Sequence, residues 1–251
     1  MLPLLRRRHS TLTTSLDRAK RLAATRAVRE NFSPAHNYIG IGSGSTVVHV
    51  VSSLLQVATA NTTFVPTGYQ SRSLLLSAGL RVALIDEVPP GAIDIAFDGA
   101  DEVDPAGNCV KGGGACLLME KLVAVNAGRF VVVADWTKIS TKLGERYAPG
   151  VPVEVLPAAA SYVMSRLREL GATPVLRSGA KAKAGPCVTD NGNFILDAAF
   201  PGGIEVADAA ARIRGIVGVV EHGIFSDADR KADVVYYGMK DGEVLVQGII
   251  Q

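Results

Sequence analysis

The stretch Asp94-Ile-Ala-Phe-Asp98-Gly-Ala-Asp101-Glu102-Val-Asp104-Pro105 runs on through Ala-Gly107-Asn-Cys109-Val-Lys111-Gly-Gly-Gly114-Ala-Cys116-Leu-Leu-Met-Glu120-Lys121. Its first half is an apolar run, Ile95-Ala96-Phe97, that ends in four acidic residues within seven positions. That composition is poor for a buried strand but natural at a strand's carboxyl end, where open α/β sheets bind ligands. Its second half is a turn at Pro105 and Gly107, a short strand ending at Lys111, three glycines and a helical pattern from Leu117. Strand, glycine turn and helix N-terminus together make the usual anion site. Lys111 supplies a fixed positive charge beside the turn, and Glu120 can face the same cleft from the helix. The pair points to acid/base work on a small anionic substrate. On the residues alone, a solvated acidic loop with Glu120 on a wet helix face remains the alternative. The spacing of Asp98, Asp101, Glu102 and Asp104 lacks the alternation of a calcium-binding EF-hand loop.

A second glycine-rich turn lies upstream. Tyr38-Ile39-Gly40-Ile41 reads as a strand, and Gly42-Ser43-Gly44-Ser45-Thr46 turns it into a helix from Val47 to about Leu55. The turn places Ser45 where a dinucleotide fingerprint needs its third glycine, and it has no Gly-Lys-Ser/Thr of a P-loop. What remains is a set of hydroxyls and backbone N–H groups suited to one phosphate, or a tight turn capped by Ser45 or Thr46.

Around these turns the pattern alternates. Helical spacing runs over 16–32, strands are expected at 63–65, 82–85 and 130–134, and a helix at 72–78. This predicts an α/β fold, a Rossmann-like, mainly parallel sheet with helices on both faces, over 16–149. After Pro149 the order changes to a strand at 153–155, a helix at 158–170 and a strand at 174–177. A hairpin on Asn191-Gly192 over 188–196, a helix at 206–213 and a strand at 219–225 follow. That is the βαββαβ order of a smaller ferredoxin-like α+β domain, 150–225. Residues 226–251 read as a C-terminal hairpin around Asp241-Gly242 that returns to the first domain.

At 251 residues with 48% hydrophobic and 20% charged content, the chain is expected to be a soluble globular protein. No apolar run reaches the roughly 18 residues of a membrane span. The net charge of +2 owes its sign to Arg6, Arg7 and Arg8, without which 23 basic residues face 24 acidic ones. A general nucleic-acid surface is therefore not expected. Residues 1–15 read as a leader or disordered tail, giving a cytoplasmic protein, or an organellar one if the Arg-rich segment is a transit peptide. Cys109, Cys116 and Cys187 form no CxxC pair and fit a reducing compartment. Cys116 is marked as a candidate oxidation-sensitive thiol, Trp136 as a candidate cleft wall, and the four histidines as structural or surface residues.

These motifs have a family resemblance. From about Leu16 to Val246 the chain resembles the type A family of ribose-5-phosphate isomerases. The likeness is carried by Gly40-Ile-Gly-Ser-Gly-Ser-Thr46, Pro66-Thr-Gly-Tyr-Gln-Ser71 and Phe97-Asp-Gly-Ala-Asp-Glu-Val-Asp104. Val110-Lys-Gly-Gly-Gly-Ala115, Met119-Glu-Lys121, Ala134-Asp135 with Lys138, Pro152-Val-Glu-Val155 and Val188-Thr-Asp-Asn-Gly-Asn193 complete it. The resemblance implies interconversion of D-ribose 5-phosphate and D-ribulose 5-phosphate through a cis-enediolate, in the non-oxidative pentose phosphate pathway, without metal or organic cofactor. It implies Glu120 as general base, Lys111 stabilising the enediolate oxygens, and Asp98 and Asp101 holding sugar hydroxyls and assisting ring opening. Substrate contacts are implied for Ser43, Gly44, Ser45, Thr46, Gly99, Ala100, Gly112, Gly113, Gly114, Lys138 and Lys20. The implied partner is a pentose 5-phosphate, with no nucleic acid or membrane, and the implied assembly is a homodimer or homotetramer. The chain departs from the family at Gly68 and Tyr69, where Ser and Phe are common, and at Ser43, where Thr is frequent. A sugar-phosphate-sensing module and another sugar-phosphate isomerase or deaminase are the competing functions.

Overall fold

The computed structural model describes residues 2–179, 181 and 183–248, the side chains of residues 2–14 excepted. Its largest sheet collects β1 (Tyr38–Ile41), β2 (Thr63–Pro66), β3 (Arg81–Val82), β4 (Ile93–Asp98), β7 (Ala127–Asp135), β13 (Val234–Gly238) and β14 (Val244–Gly248). The spatial order is β14-β13-β7-β4-β1-β2-β3, and every pair is parallel except β13 with β14. Parallel strands covered on both faces read as continuous apolar runs, as Ile95-Ala96-Phe97 and Phe130-Val-Val-Val-Ala134 do. Their alternate side chains divide between two cores. Ile95, Phe97, Val131 and Val133 pack under α1 (Leu2–Asn31), α2 (Ser45–Leu54) and α3 (Tyr69–Ser77). Ala96, Phe130, Val132 and Ala134 face α4 (Leu117–Val125) on the other side.

From β1 the chain steps to β2 and β3 in one direction, then returns to lay β4 on the opposite flank of β1. The order reverses between β1 and β4, so the carboxyl ends of these two strands frame the crevice that such a switch point opens.

A second sheet, β11-β8-β10-β9, is antiparallel throughout and is made of β8 (Val151–Val155), β9 (Thr173–Leu176), β10 (Phe194–Ala199) and β11 (Val219–His222). With α5 (Ala160–Glu169) and α6 (Val206–Arg214) it encloses its own core around Val153, Val163, Leu167 and Ile213. In chain order its strands stand 4-1-3-2, the ferredoxin-like plan. A small ladder of β5 (Glu102–Val103), β6 (Cys109–Val110) and β12 (Ile224–Phe225) joins the two sheets.

Four expectations need correction. The strand expected over 219–225 is two strands, because a Cβ at Gly223 would lie 2.0 Å from the Lys111 carbonyl; the chain there leaves β8 and pairs β12 with β6. The hairpin on Asn191-Gly192 is reduced to a single bridge between Val188 and Phe194, and β10 takes β9 and β8 as partners. Buried Glu154 draws in Thr189 Oγ1, Asn191 Nδ2 and Asn193 Nδ2 at 2.8, 3.1 and 3.0 Å, folding the turn onto β8. The strand expected over 82–85 stops at Val82, since Glu87 Oε2 accepts the Leu84 amide at 2.6 Å and closes a 3₁₀ turn. The helix expected from Leu16 starts at Leu2. Leu and Arg favour helix there, and Pro3 falls in the first turn, where its missing N–H is harmless. Among the described residues no helix is long and apolar enough to cross a membrane.

The acidic run is not a solvated loop. Asp98, Glu102 and Asp104 are buried, and Glu102 accepts the backbone N–H groups of Gly144, Glu145 and Arg146 at 2.9, 3.1 and 2.8 Å. Glu102→Ala strips three part-buried amides of their buried, charged acceptor and is expected to lower stability by about 3 kcal/mol. Urea denaturation checks this; an unchanged midpoint would show that water replaces the carboxylate.

Candidate active site

At the switch point β1 ends in Ile41 and passes into Gly42, β4 ends in Asp98, and both turns open into one cleft of about 130 Å³. Lys20, Ser43 to Thr46, Gly99, Ala100, Asp101, Lys111, Gly112 to Gly114, Glu120, Ala134, Asp135 and Lys138 line it. The cleft therefore gathers every implied site residue except Asp98, which lies just beneath it and reaches it through Lys111.

One end of the cleft is acidic and buried. The Lys111 ammonium meets Asp98 Oδ2 at 2.8 Å, the Gly99 carbonyl at 2.5 Å and Glu120 Oε2 at 3.2 Å. Asp98 Oδ1 accepts the amides of Ser43 and Gly99 at 3.2 and 2.7 Å. A Cβ at residue 42 would fall 1.8 Å from that oxygen, which is why the β1 turn carries glycine there. Ser43 Oγ donates to Glu120 Oε1 at 2.5 Å, while among the described residues Glu120 Oε2 has only the Lys111 ion pair and no hydrogen bond. Asp101 Oδ2 takes the Gly113 amide at 2.7 Å.

The other end offers donors. Gly44, with φ of 97°, is the N-cap of α2 and has no side chain to close the turn, and among the described residues neither the Ser45 nor the Thr46 hydroxyl accepts a backbone amide. The first amides of α2 are left open, as an anion requires. Lys20 reaches across from α1, its Nζ 3.0 Å from Ser45 Oγ and 3.8 Å from Asp135 Oδ2, and Lys138 also lines the cleft.

Charge explains the protonation states. Two carboxylates share one ammonium in a buried site, a net of one negative charge when all three are ionised. Burial, aided by the Glu120 carboxylate and opposed by Lys111, raises the Asp98 carboxyl to about 7. Burial alone would lower Lys111, but Asp98 and Glu120 hold it above the ordinary lysine range. Burial also raises Asp101. The Cys116 thiol is pushed up to about 12 by burial and by Glu120, which removes the basis for an oxidation-sensitive thiolate there. Trp136 is half-buried and does not line the cleft.

Several supporting residues were not singled out from the sequence. Gln70 Oε1 accepts the Gly44 amide at 2.7 Å and steadies the donor loop. Asp190, on the turn held by Glu154, accepts the Tyr69 amide at 2.7 Å. Both lie inside motifs quoted above, where spacing alone gives them no role. Arg177, whose Nη1 reaches the carbonyls of Gly112 and Gly113, had no signal beyond its place at a strand end.

The family model described as ribose 5-phosphate isomerase A (phosphoriboisomerase A) matches residues 63–242. A ribose-5-phosphate isomerase of Candida albicans is 49% identical over 240 residues, covering 93% of this chain and 98% of the relative. The solved ribose 5-phosphate isomerase A of Methanocaldococcus jannaschii superposes with a TM-score of 0.81 at 36% identity, covering 92% and 98% of the two chains. A D-ribose-5-phosphate isomerase solved in complex with phospho-erythronic acid gives a TM-score of 0.84 at 37% identity, covering 93% and 99%.

The raised Asp98 carboxyl has a consequence for stability. Its folded value of about 7 lies above its ordinary 3.8, so between these the folded state holds the proton more tightly than the unfolded state. Stability from this group is complete below about pH 4 and is lost as pH rises to about 7. The stability difference between wild type and Asp98→Asn, from urea melts across pH 4 to 8, should therefore fall through that window and flatten above it. A flat or rising difference would place the high-affinity proton elsewhere.

Proposed function

This chain belongs to the ribose 5-phosphate isomerase A family, enzymes that interconvert D-ribose 5-phosphate and D-ribulose 5-phosphate in the pentose phosphate pathway, and we propose that Glu120 is the base that moves the proton. The observation that carries this assignment is Glu120 Oε2: buried, facing the cleft, without a hydrogen bond among the described residues, and 3.2 Å from the Lys111 ammonium. Its partner oxygen is held by Ser43, so the carboxylate is aimed and one lone pair is left for chemistry.

In the proposed mechanism the open-chain aldose lies with its phosphate against the α2 amides, Ser45, Lys20 and Lys138. Its aldehyde end lies against Lys111. Glu120 takes the proton from C2, and the electron pair moves into a C1–C2 double bond while charge passes to the carbonyl oxygen. Lys111 faces that charge, which is where a fixed donor lowers the barrier. The C2 hydroxyl proton passes to the adjacent oxygen on C1, the protonated Glu120 returns its proton to C1, and the oxygen on C2 becomes the ketone. Asp101, in the cleft lining, holds a sugar hydroxyl and assists ring opening, and Asp98 acts from beneath the cleft through Lys111. No atom is gained or lost, and no metal or cofactor enters these steps. The proposed assembly is a homodimer or homotetramer, which light scattering on the purified protein distinguishes.

The reading is tested by conversion of ribose 5-phosphate in excess EDTA. Wild type should turn over, and Glu120→Gln should lose at least about a hundredfold in kcat with KM little changed, because it removes a proton acceptor rather than uniform binding. An equally active Glu120→Gln protein would remove the base assignment. Lys138→Ala should mainly raise KM, and an unchanged KM would take that lysine out of the phosphate end.

A further inference from the structure

Arg177 stands outside the cleft yet holds one of its walls. It follows β9, and its guanidinium is clamped to Asp197 of β10 by Nε to Oδ2 at 2.9 Å and Nη2 to Oδ1 at 2.5 Å. Both side chains are only 15% exposed. This two-pronged pairing fixes the plane of the guanidinium. The remaining Nη1 then donates to two successive carbonyls of the glycine turn, Gly112 at 2.9 Å and Gly113 at 3.1 Å.

The effect is felt on the far side of those peptides. Among the described residues there are no cis peptide bonds, and across a trans peptide the C=O and the next N–H point in opposite directions. Drawing the oxygens of Gly112 and Gly113 toward Arg177 therefore turns the N–H groups of Gly113 and Gly114 away from it. The Gly113 N–H goes to Asp101 Oδ2. The Gly114 N–H meets no acceptor among the described residues, and Gly114 lines the cleft beside Ser43, whose Oγ is 3.6 Å from the point where a Cβ would stand. A run of glycines has no side chains to choose between peptide orientations: within the turn the Ala115 N–H donates to the Gly112 carbonyl at 2.9 Å, but among the described residues no backbone group donates to the Gly113 carbonyl, which sets the Gly114 N–H. Arg177 is the group in contact with both carbonyls.

We propose that Arg177 is a positioning residue for the isomerisation: reaching over from the four-stranded sheet, it holds the Gly112–Gly114 peptides so that the Gly114 N–H faces the substrate oxygen that gains charge. The proposal rests on the isomerase reading above and adds to it a role for a residue that does not touch the substrate. It differs from simple bracing of the two sheets in what it predicts. A donor aimed at developing charge acts on the transition state, so its loss lowers kcat and leaves ground-state binding almost unchanged.

The test compares wild type, Arg177→Met, Arg177→Lys and Glu120→Gln for kcat and KM with ribose 5-phosphate. It adds the inhibition constants of phospho-erythronic acid and inorganic phosphate, with a thermal melt to confirm folding. Phospho-erythronic acid is the informative probe, because its carboxylate presents charged oxygens where the enediolate would. Arg177→Met should lose about ten- to a hundredfold in kcat with KM changed less than about threefold. Phospho-erythronic acid should weaken by a similar factor, and phosphate should bind as before. Arg177→Lys keeps the charge but not the fork, and should fall between. A folded Arg177→Met with wild-type kcat, or with a change in KM alone, or with undiminished affinity for phospho-erythronic acid, would overturn the proposal. If Arg177→Met does not fold, the same split in Arg177→Lys decides it. A wild type that does not convert ribose 5-phosphate would remove the isomerase reading and this inference together, whereas active wild type with an unaffected variant removes this inference alone.

Discussion

One buried ammonium shared between two buried carboxylates sets the terms for the rest of this site. Lys111 is 2% exposed, Asp98 3% and Glu120 4%, and a charge taken so far from water is tolerable only when fully paired. The surroundings follow from that requirement. Gly42 lacks a Cβ because Asp98 needs the space, the amides of Ser43 and Gly99 are turned onto Asp98, and the Gly99 carbonyl is turned onto Lys111. The Lys111 backbone is pinned in turn, its N–H donating to the Gly223 carbonyl at 2.8 Å. A glycine at 223 is what lets the two segments come that close. The excess of carboxylate over ammonium leaves the cluster holding a proton near neutrality, a useful state for a site whose work is to take one proton and give it back.

The two sheets divide the labour. The parallel sheet provides the reactive groups, because its strand order reverses between β1 and β4 and so leaves two strand ends facing one crevice. The antiparallel sheet and the strand beyond it provide orientation: Arg177 holds the glycine turn, Asp190 holds the Tyr69 amide, and Gly223 holds Lys111. Groups set by packing on a neighbouring layer are held more tightly than groups on a loop alone, and near-attack geometry demands tight placement.

What the sequence disclosed and what it hid divide along the same line. The parallel strands were legible because a strand buried on both faces is a continuous apolar run, and the site residues because strand ends, glycine turns and charges fall together in the chain. The 219–225 segment was misread because nothing local marks Gly223 as a change of partner; the cause is the Lys111 carbonyl, more than a hundred residues earlier in the chain. The Asn-Gly turn was given too much weight for a similar reason. Asn191-Gly192 has the chemistry of a hairpin, but Glu154 on β8 competes for the side chains around it. Arg177 was invisible, since a lone arginine at a strand end becomes meaningful only when its distant carbonyl partners are known. Local rules read local structure, and these features are set by long-range contacts.

The same division explains how Glu120 and Lys121, neighbours in sequence and both buried, avoid neutralising each other. Successive residues on a helix point about 100° apart. Glu120 enters the cleft, while Lys121 enters the seam with the 221–229 segment, donating to the Ile224 carbonyl at 2.8 Å, Glu221 Oε1 at 2.9 Å and Asp229 Oδ2 at 3.2 Å. The Phe225 ring lies beside both lysines, 5.0 Å from Lys121 Nζ and 5.4 Å from Lys111 Nζ. An aromatic face suits such a place, because it attracts each ammonium without offering a proton acceptor that would compete with the carboxylates. The rotation of α4 about its axis is thus set by a cation bound outside the cleft, and with it the direction of the carboxylate inside. Had Lys121 faced the cleft, the negative cluster would have become neutral, and the pressure that keeps a proton mobile there would be gone.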